Sequence, residues 1–385
     1  MSEALIFLHW CCIFKNKMLK FIYHSKSDFT SAKSKTEEKM NGNNFYYNSV
    51  YETPEMRLEK KRKQRKFFSR FFIALFVYQL VFQLLSSLVY LGVNILLSAE
   101  KYEAFVADPV ASIVSSSIVQ YGIALPLFLL ITKGMDTAER HEKKKITFGE
   151  GVIFISIAEL MMFVGNIIGN ILNSSIGVLI GDTPTNNLTN IVESTPVWLL
   201  FIVMVVIAPI AEETIFRRIM IDRISIYGDH VAIIFSSVAF GLMHGNLYQF
   251  FYATLVGALL GYVYTVTREI KYTIAIHASV NFFGSILVLF MFNAERYLGT
   301  ITDNAQLIST VSMLAASAYE SIQLGLITAG AIALIYRHRR REIKISTDTE
   351  IYIPMRDLVK GGIINEGAIL FILISLAQMV LSLFA

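Results

Sequence analysis

The stretch Pro196-Val-Trp-Leu-Leu-Phe-Ile-Val-Met-Val-Val-Ile-Ala-Pro209-Ile-Ala-Glu212-Glu213-Thr-Ile-Phe-Arg217-Arg218 decides the fold of this chain. Most of it is apolar without alternation, and it has the length of a membrane-crossing helix rather than of a strand. Two carboxylates and two guanidiniums then stand at its end. A charged side chain at the centre of a bilayer costs about 2.5–3.5 kcal/mol on insertion scales. Groups that costly are kept in a span for a use.

Similar apolar segments recur at 71–97, 109–132, 150–172, 231–245, 248–266, 272–292, 307–336 and 367–385. The segment 231–245 is short enough to be partly re-entrant. The segment 307–336 carries Glu320 in its first half, which moves the start of its span toward Ser321. The expectation is an all-α, polytopic transmembrane bundle of about eight or nine spans around a polar cavity within the membrane. Composition agrees: of 385 residues, 54% are hydrophobic and only 17% charged. A β-barrel would show segments of about ten alternating residues, and this chain shows none.

Residues 1–66 differ from the rest and are expected to be a cytosolic, largely disordered segment, with the transmembrane domain at 67–385. The short apolar run 4–14 lacks the cleavage signature of a signal peptide. Met18 and Met40 are alternative starts. The net charge of +4 matters less than its placement. Basic clusters at 60–66, 143–145, 217–223, 268–271 and 337–341 all fall on one side of the alternating spans. By the positive-inside rule that side is cytosolic, which puts the N-terminus there in a multi-pass protein of the cell membrane. The cluster at 60–66 is read as this orienting signal and not as a nucleic-acid site. Cys11 and Cys12 are adjacent, which suits neither a disulfide framework nor a zinc site. Gly165/Gly169 and Gly257/Gly261 have the spacing that lets helices approach closely.

Glu212 and Glu213 point about 100° apart on a helix, so they serve different jobs. Glu213 precedes Arg217 by four residues, the favourable order for an ion pair. That pair reads as structural, leaving Glu212 to face the cavity. Pro209 frees a carbonyl upstream and suits a helix that opens to water or substrate. His24, His141, His230 and His338 sit in polar segments and His9 in the N-terminal run; His244 and His277 lie inside long apolar segments. Phe240 precedes His244 by four residues and His277 precedes Asn281 by four, so each pair shares a helix face. A carboxylate, two imidazoles and an amide are the parts needed to hydrolyse an amide bond with water. Other protease signatures are missing: His141-Glu142 is followed by lysines rather than completing a zinc motif, and there is no Gly-x-Ser-x-Gly.

Glu212-Glu213-Thr-Ile-Phe-Arg217, Phe240-Gly-Leu-Met-His244 and His277-Ala-Ser-Val-Asn281, in that order on successive apolar helices, resemble the motifs of the CAAX-protease and bacteriocin-processing (Abi) family of intramembrane glutamic endopeptidases. The resemblance covers about residues 196–287. Many bacterial members have glycine where this chain has Arg218. The resemblance implies that Glu212 is the general base for a water that His244 helps to hold. It implies that His277 and Asn281 donate hydrogen bonds to the oxyanion, that Phe240 packs the cavity, and that no cofactor is needed. The substrate would be a peptide, a prenylated tail or a segment of a membrane protein. Two alternatives stay open: zinc held by Glu212, His244 and His277, and a non-catalytic immunity or modulator protein of the same fold.

One feature of the span pattern resists this reading. Glu212 and His277 fall near cytosolic ends and His244 near the outer end of its segment, a depth gap on the order of 15–20 Å.

Overall fold

The computed structural model describes residues 53–138, 142–181, 195–292, 298–346 and 349–384. The N-terminal run with His9, Cys11, Cys12 and His24 lies outside the described residues, as do His141 and most of the loop after Gly181. The chain divides at Lys60 into two units. Of the first, residues 53–60 are described. They are the opening turns of α1 (Pro54–Leu96), where the Thr53 hydroxyl accepts from the N–H of Met56 at 3.2 Å. Helix therefore begins inside the polar segment 1–66.

The regular elements of the second unit are all helices among its described residues. After the rest of α1 come α2 (Ala99–Ala107), α3 (Pro109–Thr132), α4 (Phe148–Ile180), α5 (Val197–Tyr227), α6 (Asp229–Met243), α7 (Leu247–Thr267), α8 (Ile270–Phe290), α9 (Ala305–Arg339), α10 (Met355–Ile363) and α11 (Glu366–Leu381). Seven of these are long and apolar enough to cross a membrane, and α10 with α11, bent by 61°, make an eighth if they count as one span. The chain is a polytopic α-helical membrane protein.

Local chemistry sets the helix ends. Thr147 and Glu150 form a reciprocal cap at the start of α4: the Glu150 N–H donates to the Thr147 hydroxyl at 3.2 Å, and the Thr147 N–H donates to Glu150 Oε2 at 2.8 Å. Asn246, Asn304 and Asn365 cap α7, α9 and α11 in the same way, each accepting from a backbone N–H three residues on.

One segment runs longer than the sequence expectation and another is as short as expected, and together they close the depth gap. The helix of the opening stretch does not stop at Arg217; α5 runs for 31 residues to Tyr227. Glu212 thus lies in mid-helix. Segment α6 has only 15 residues, about 22 Å at 1.5 Å per residue, which is less than the roughly 30 Å of a hydrocarbon core. Between them Gly228, at φ 112°, reverses the chain in a conformation that favours glycine. Glu212 lies as many residues before Gly228 as His244 lies after it, so α5 and α6 carry both side chains to the same region. The turn is held by Asp229, which accepts from the Ser225 hydroxyl at 2.6 Å and from Arg268 Nη2 at 2.8 and 2.9 Å.

α7 is the central post. It packs on α4 and on α6, and the expected glycine pairs make both contacts. Gly165 meets the backbone of Tyr252, and Gly169 lies against Tyr248. Gly257 lies against Ser237 and Phe240, and Gly261 against Ile233 and Ile221. A Cβ at Gly165 has nowhere to go, because backbone occupies the space. Gly165→Ala is therefore expected to cost at least about 1–3 kcal/mol, the range of an overpacked core. Gly149, on the same helix with nothing within 4 Å, is the control. Unfolding of the two variants in detergent checks this; equal stability would mean that α4 and α7 do not meet at Gly165.

Candidate active site

α5 is not a uniform α-helix where it carries the site. Phe201–Ile207 and Thr214–Ile221 are wound in the wider π register, with an α-helical turn, Ala208–Glu213, between them. Such bulges are common at functional sites. Pro209, in that turn, leaves a carbonyl of α5 for another helix to satisfy. Proline has no N–H, and in the i→i+5 register, in which the Ala208 N–H donates to the Val203 carbonyl, the carbonyl left unmet is that of Met204. Asn281 Nδ2 donates to that carbonyl at 2.7 Å. The amide expected beside His277 thus spends one of its hydrogens on the backbone of α5.

The two glutamates differ as their 100° separation requires. Glu213 and Arg217 are both wholly buried and pair at 3.0 Å, Nε to Oε2. Arg217 Nη1 donates to the Ser236 hydroxyl at 3.0 Å, and Ser236 in turn donates to the Phe216 carbonyl at 2.8 Å, tying α5 to α6. The guanidinium lies over the Phe240 ring, 5.0 Å from its centroid. Glu212, by contrast, has a side chain 20% exposed. Arg218, the departure from many family members, is exposed.

His277 on α8 stands between the carboxylates. Its Nδ1 lies 3.0 Å from Glu213 Oε1, and its Nε2 lies 3.8 Å from Glu212 Oε2. A carboxylate only accepts, so Nδ1 carries the proton and donates to Glu213. Nε2 is then directed at Glu212, too far for a direct bond but within the span of one bridging water.

His244 sits at the C-terminal end of α6. Its Nδ1 donates to the Phe240 carbonyl at 2.8 Å, which leaves Nε2 as an acceptor. Phe240 joins the two imidazoles: its ring meets His244 edge-on at 4.9 Å and His277 at 5.7 Å. Glu212, Glu213, Arg217, Phe240, His244 and His277 therefore form one cluster on α5, α6 and α8. Asn281 touches it through the backbone of α5.

Three tyrosines that the sequence did not single out complete the surroundings. The phenols of Tyr78 on α1, Tyr121 on α3 and Tyr252 on α7 lie within electrostatic reach of Glu212. Tyr252 also packs near His244, with ring centroids 6.5 Å apart. A tyrosine in a span is common, so nothing local marked them. Among the described residues, no three His, Cys, Asp or Glu side chains are arranged to hold a metal ion, so the set Glu212, His244 and His277 does not fit zinc as it stands.

Residues 194–283 match the family model described as type II CAAX prenyl endopeptidase Rce1-like. Over 194 residues the chain is 25% identical to the "Putative membrane peptidase YdiL" of Bacillus subtilis (strain 168), covering 50% of this chain and 78% of that protein. Over 150 residues it is 24% identical to the "UPF0177 protein YxdF" of Lactococcus lactis subsp. lactis (strain IL1403), covering 39% of this chain and 80% of that one. No solved structure matches significantly. The matched segment holds all three motifs with the cluster they build, and the resemblance they carry stands: residues 194–283 are similar to an Rce1-like domain.

Proposed function

We propose that this protein is an intramembrane endopeptidase in which Glu212 activates water to cut a peptide bond. The observation that carries the reading is the division between adjacent carboxylates. Glu213 is wholly buried and bonded to both Arg217 and His277. Glu212 is partly exposed and faced by Nε2 of His277 at 3.8 Å. One carboxylate builds the site and the other is left for chemistry.

In this mechanism Glu212 takes a proton from a water whose other hydrogen is donated to Nε2 of His244. The water oxygen attacks the scissile carbonyl carbon, and negative charge moves to the carbonyl oxygen. Glu212 returns the proton to the leaving nitrogen as the C–N bond breaks. A donor aimed at the developing oxyanion acts where charge appears only in the transition state. Asn281 keeps one amide hydrogen for that role, while His277, with both nitrogens turned to carboxylates, stands beside Glu212. Phe240 fixes the angle between the imidazoles. The substrate is a peptide or a membrane-associated chain, as the names of the family and of the Bacillus subtilis relative suggest. The basic loops put the N-terminus in the cytosol.

Purified protein in nanodiscs tests the reading against its zinc alternative. Cleavage of a peptide library is expected to survive exhaustive treatment with EDTA and o-phenanthroline. Activity that is lost on chelation and restored by zinc would establish a metalloprotease instead.

A further inference from the structure

A cavity of about 270 Å³ opens beside His244. Four carboxamides converge on it: Gln79 and Gln83 from α1, Gln120 from α3 and Gln378 from α11, together with the Tyr78 phenol. Uncharged amides in lipid-embedded helices commonly serve as glue between helices, and part of this set does so. Gln79 Nε2 donates to Gln378 Oε1 at 3.2 Å, and the Ser375 hydroxyl donates to Gln79 Oε1 at 3.2 Å. Gln120 bonds Tyr78. Gln83 does not fit that explanation. It is exposed at the cavity, and its side chain makes no hydrogen bond among the described residues.

Two helix ends also reach the cavity. α6 contributes Met243 and His244, and α11 contributes Leu381. Both are C-terminal ends, where unpaired carbonyls carry partial negative charge. Gly245, at φ 63°, lets α11 come close: a Cβ there would stand 2.7 Å from Gln378 Oε1. No lysine or arginine lies among the described residues of the lining. A carboxylate placed here would find no cation and two negative helix ends. A peptide backbone fits, because each carboxamide offers both a donor and an acceptor. The volume is below the roughly 300–1,000 Å³ of drug-sized sites, room for a short extended piece of chain.

We propose that this cavity is the subsite for the backbone of an internal, uncharged stretch of substrate adjoining the scissile bond. The enzyme then cuts within a chain that continues through the cavity, and does not anchor on a free C-terminal carboxylate. α1 and α11 lie outside the matched segment 194–283, so this specificity belongs to the flanking helices. The inference rests on the endopeptidase reading above.

The test uses the full-length protein in nanodiscs and a proteome-derived peptide library in two forms, with C-terminal carboxylates free or converted to methylamides. Both forms are expected to be cut at the same internal bonds with kcat/KM within about twofold. On the best-cut peptide, Gln83→Leu is expected to raise KM about 2–10-fold, the worth of one hydrogen bond, with kcat unchanged. Gln83→Asn should recover part of that loss, and Gln83→Arg should favour the free-acid form. The Gln83 side chain holds no internal bond among the described residues, so these variants are expected to fold. A methylamide form cut more than tenfold slower than the acid, or an unchanged KM in Gln83→Leu, overturns the subsite and leaves the protease reading intact. No cleavage of either form by the wild type overturns the protease reading, and the subsite with it.

Discussion

Glu212→Gln is expected to lower peptide cleavage by about 10²–10⁴-fold, the contribution of a positioned general base, while the protein folds as before. The amide has the shape of the carboxylate but cannot accept the proton of the attacking water. Nor does the change strand a buried charge, because Arg217 keeps its own partner Glu213 at 3.0 Å. The Glu212 side chain is 20% exposed, so the surroundings tolerate the loss of its charge. Cleavage by purified variant protein, beside its thermal unfolding midpoint, reads both halves. Activity surviving at more than a few per cent would move the base elsewhere, first to Glu213.

Glu213→Ala acts in the opposite order: stability falls first and activity with it. Arg217 is wholly buried, and a buried charge that loses its partner costs about 3–5 kcal/mol. The same substitution removes the acceptor for His277 Nδ1, so the imidazole loses the bond that fixes its proton and its aim at Glu212. Denaturant unfolding in detergent measures the first effect and peptide cleavage the second. A variant as stable as the wild type but inactive would show that Glu213 acts in chemistry rather than in holding the site.

The parts of this site that depend on one helix face were legible in the sequence. Spacing of four residues announced the Glu213–Arg217 pair and placed Phe240 against His244. The adjacency of Glu212 and Glu213 announced that they would part company. What crosses between helices was not legible. Asn281 turns to Met204, 77 positions away, because a proline in a π-wound stretch left that carbonyl unmet, and local spacing carries no sign of it. His244 joins Glu212 and His277 because α5 continues past Arg217 to Tyr227. An apolar window does not fix such boundaries when the C-terminal end of the helix is itself buried, as Ile219, Met220, Ile221 and Ile224 are. Lipid-facing and core-facing sides of a span are both apolar. Hydropathy therefore finds the helices but not their faces, and Tyr78, Tyr121 and Tyr252 passed unmarked for that reason.

The central claim is that water, activated at Glu212, attacks the substrate carbonyl directly. The measurement that tests it most directly is a single turnover in water labelled with the heavy oxygen isotope, with enzyme in excess over peptide. Direct attack places one heavy oxygen in the new carboxylate of the product on the first turnover, and intact-mass analysis finds no acylated protein. A product that carries ordinary oxygen from the enzyme, or a covalent acyl adduct on Glu212, would contradict the account and make that carboxylate a nucleophile.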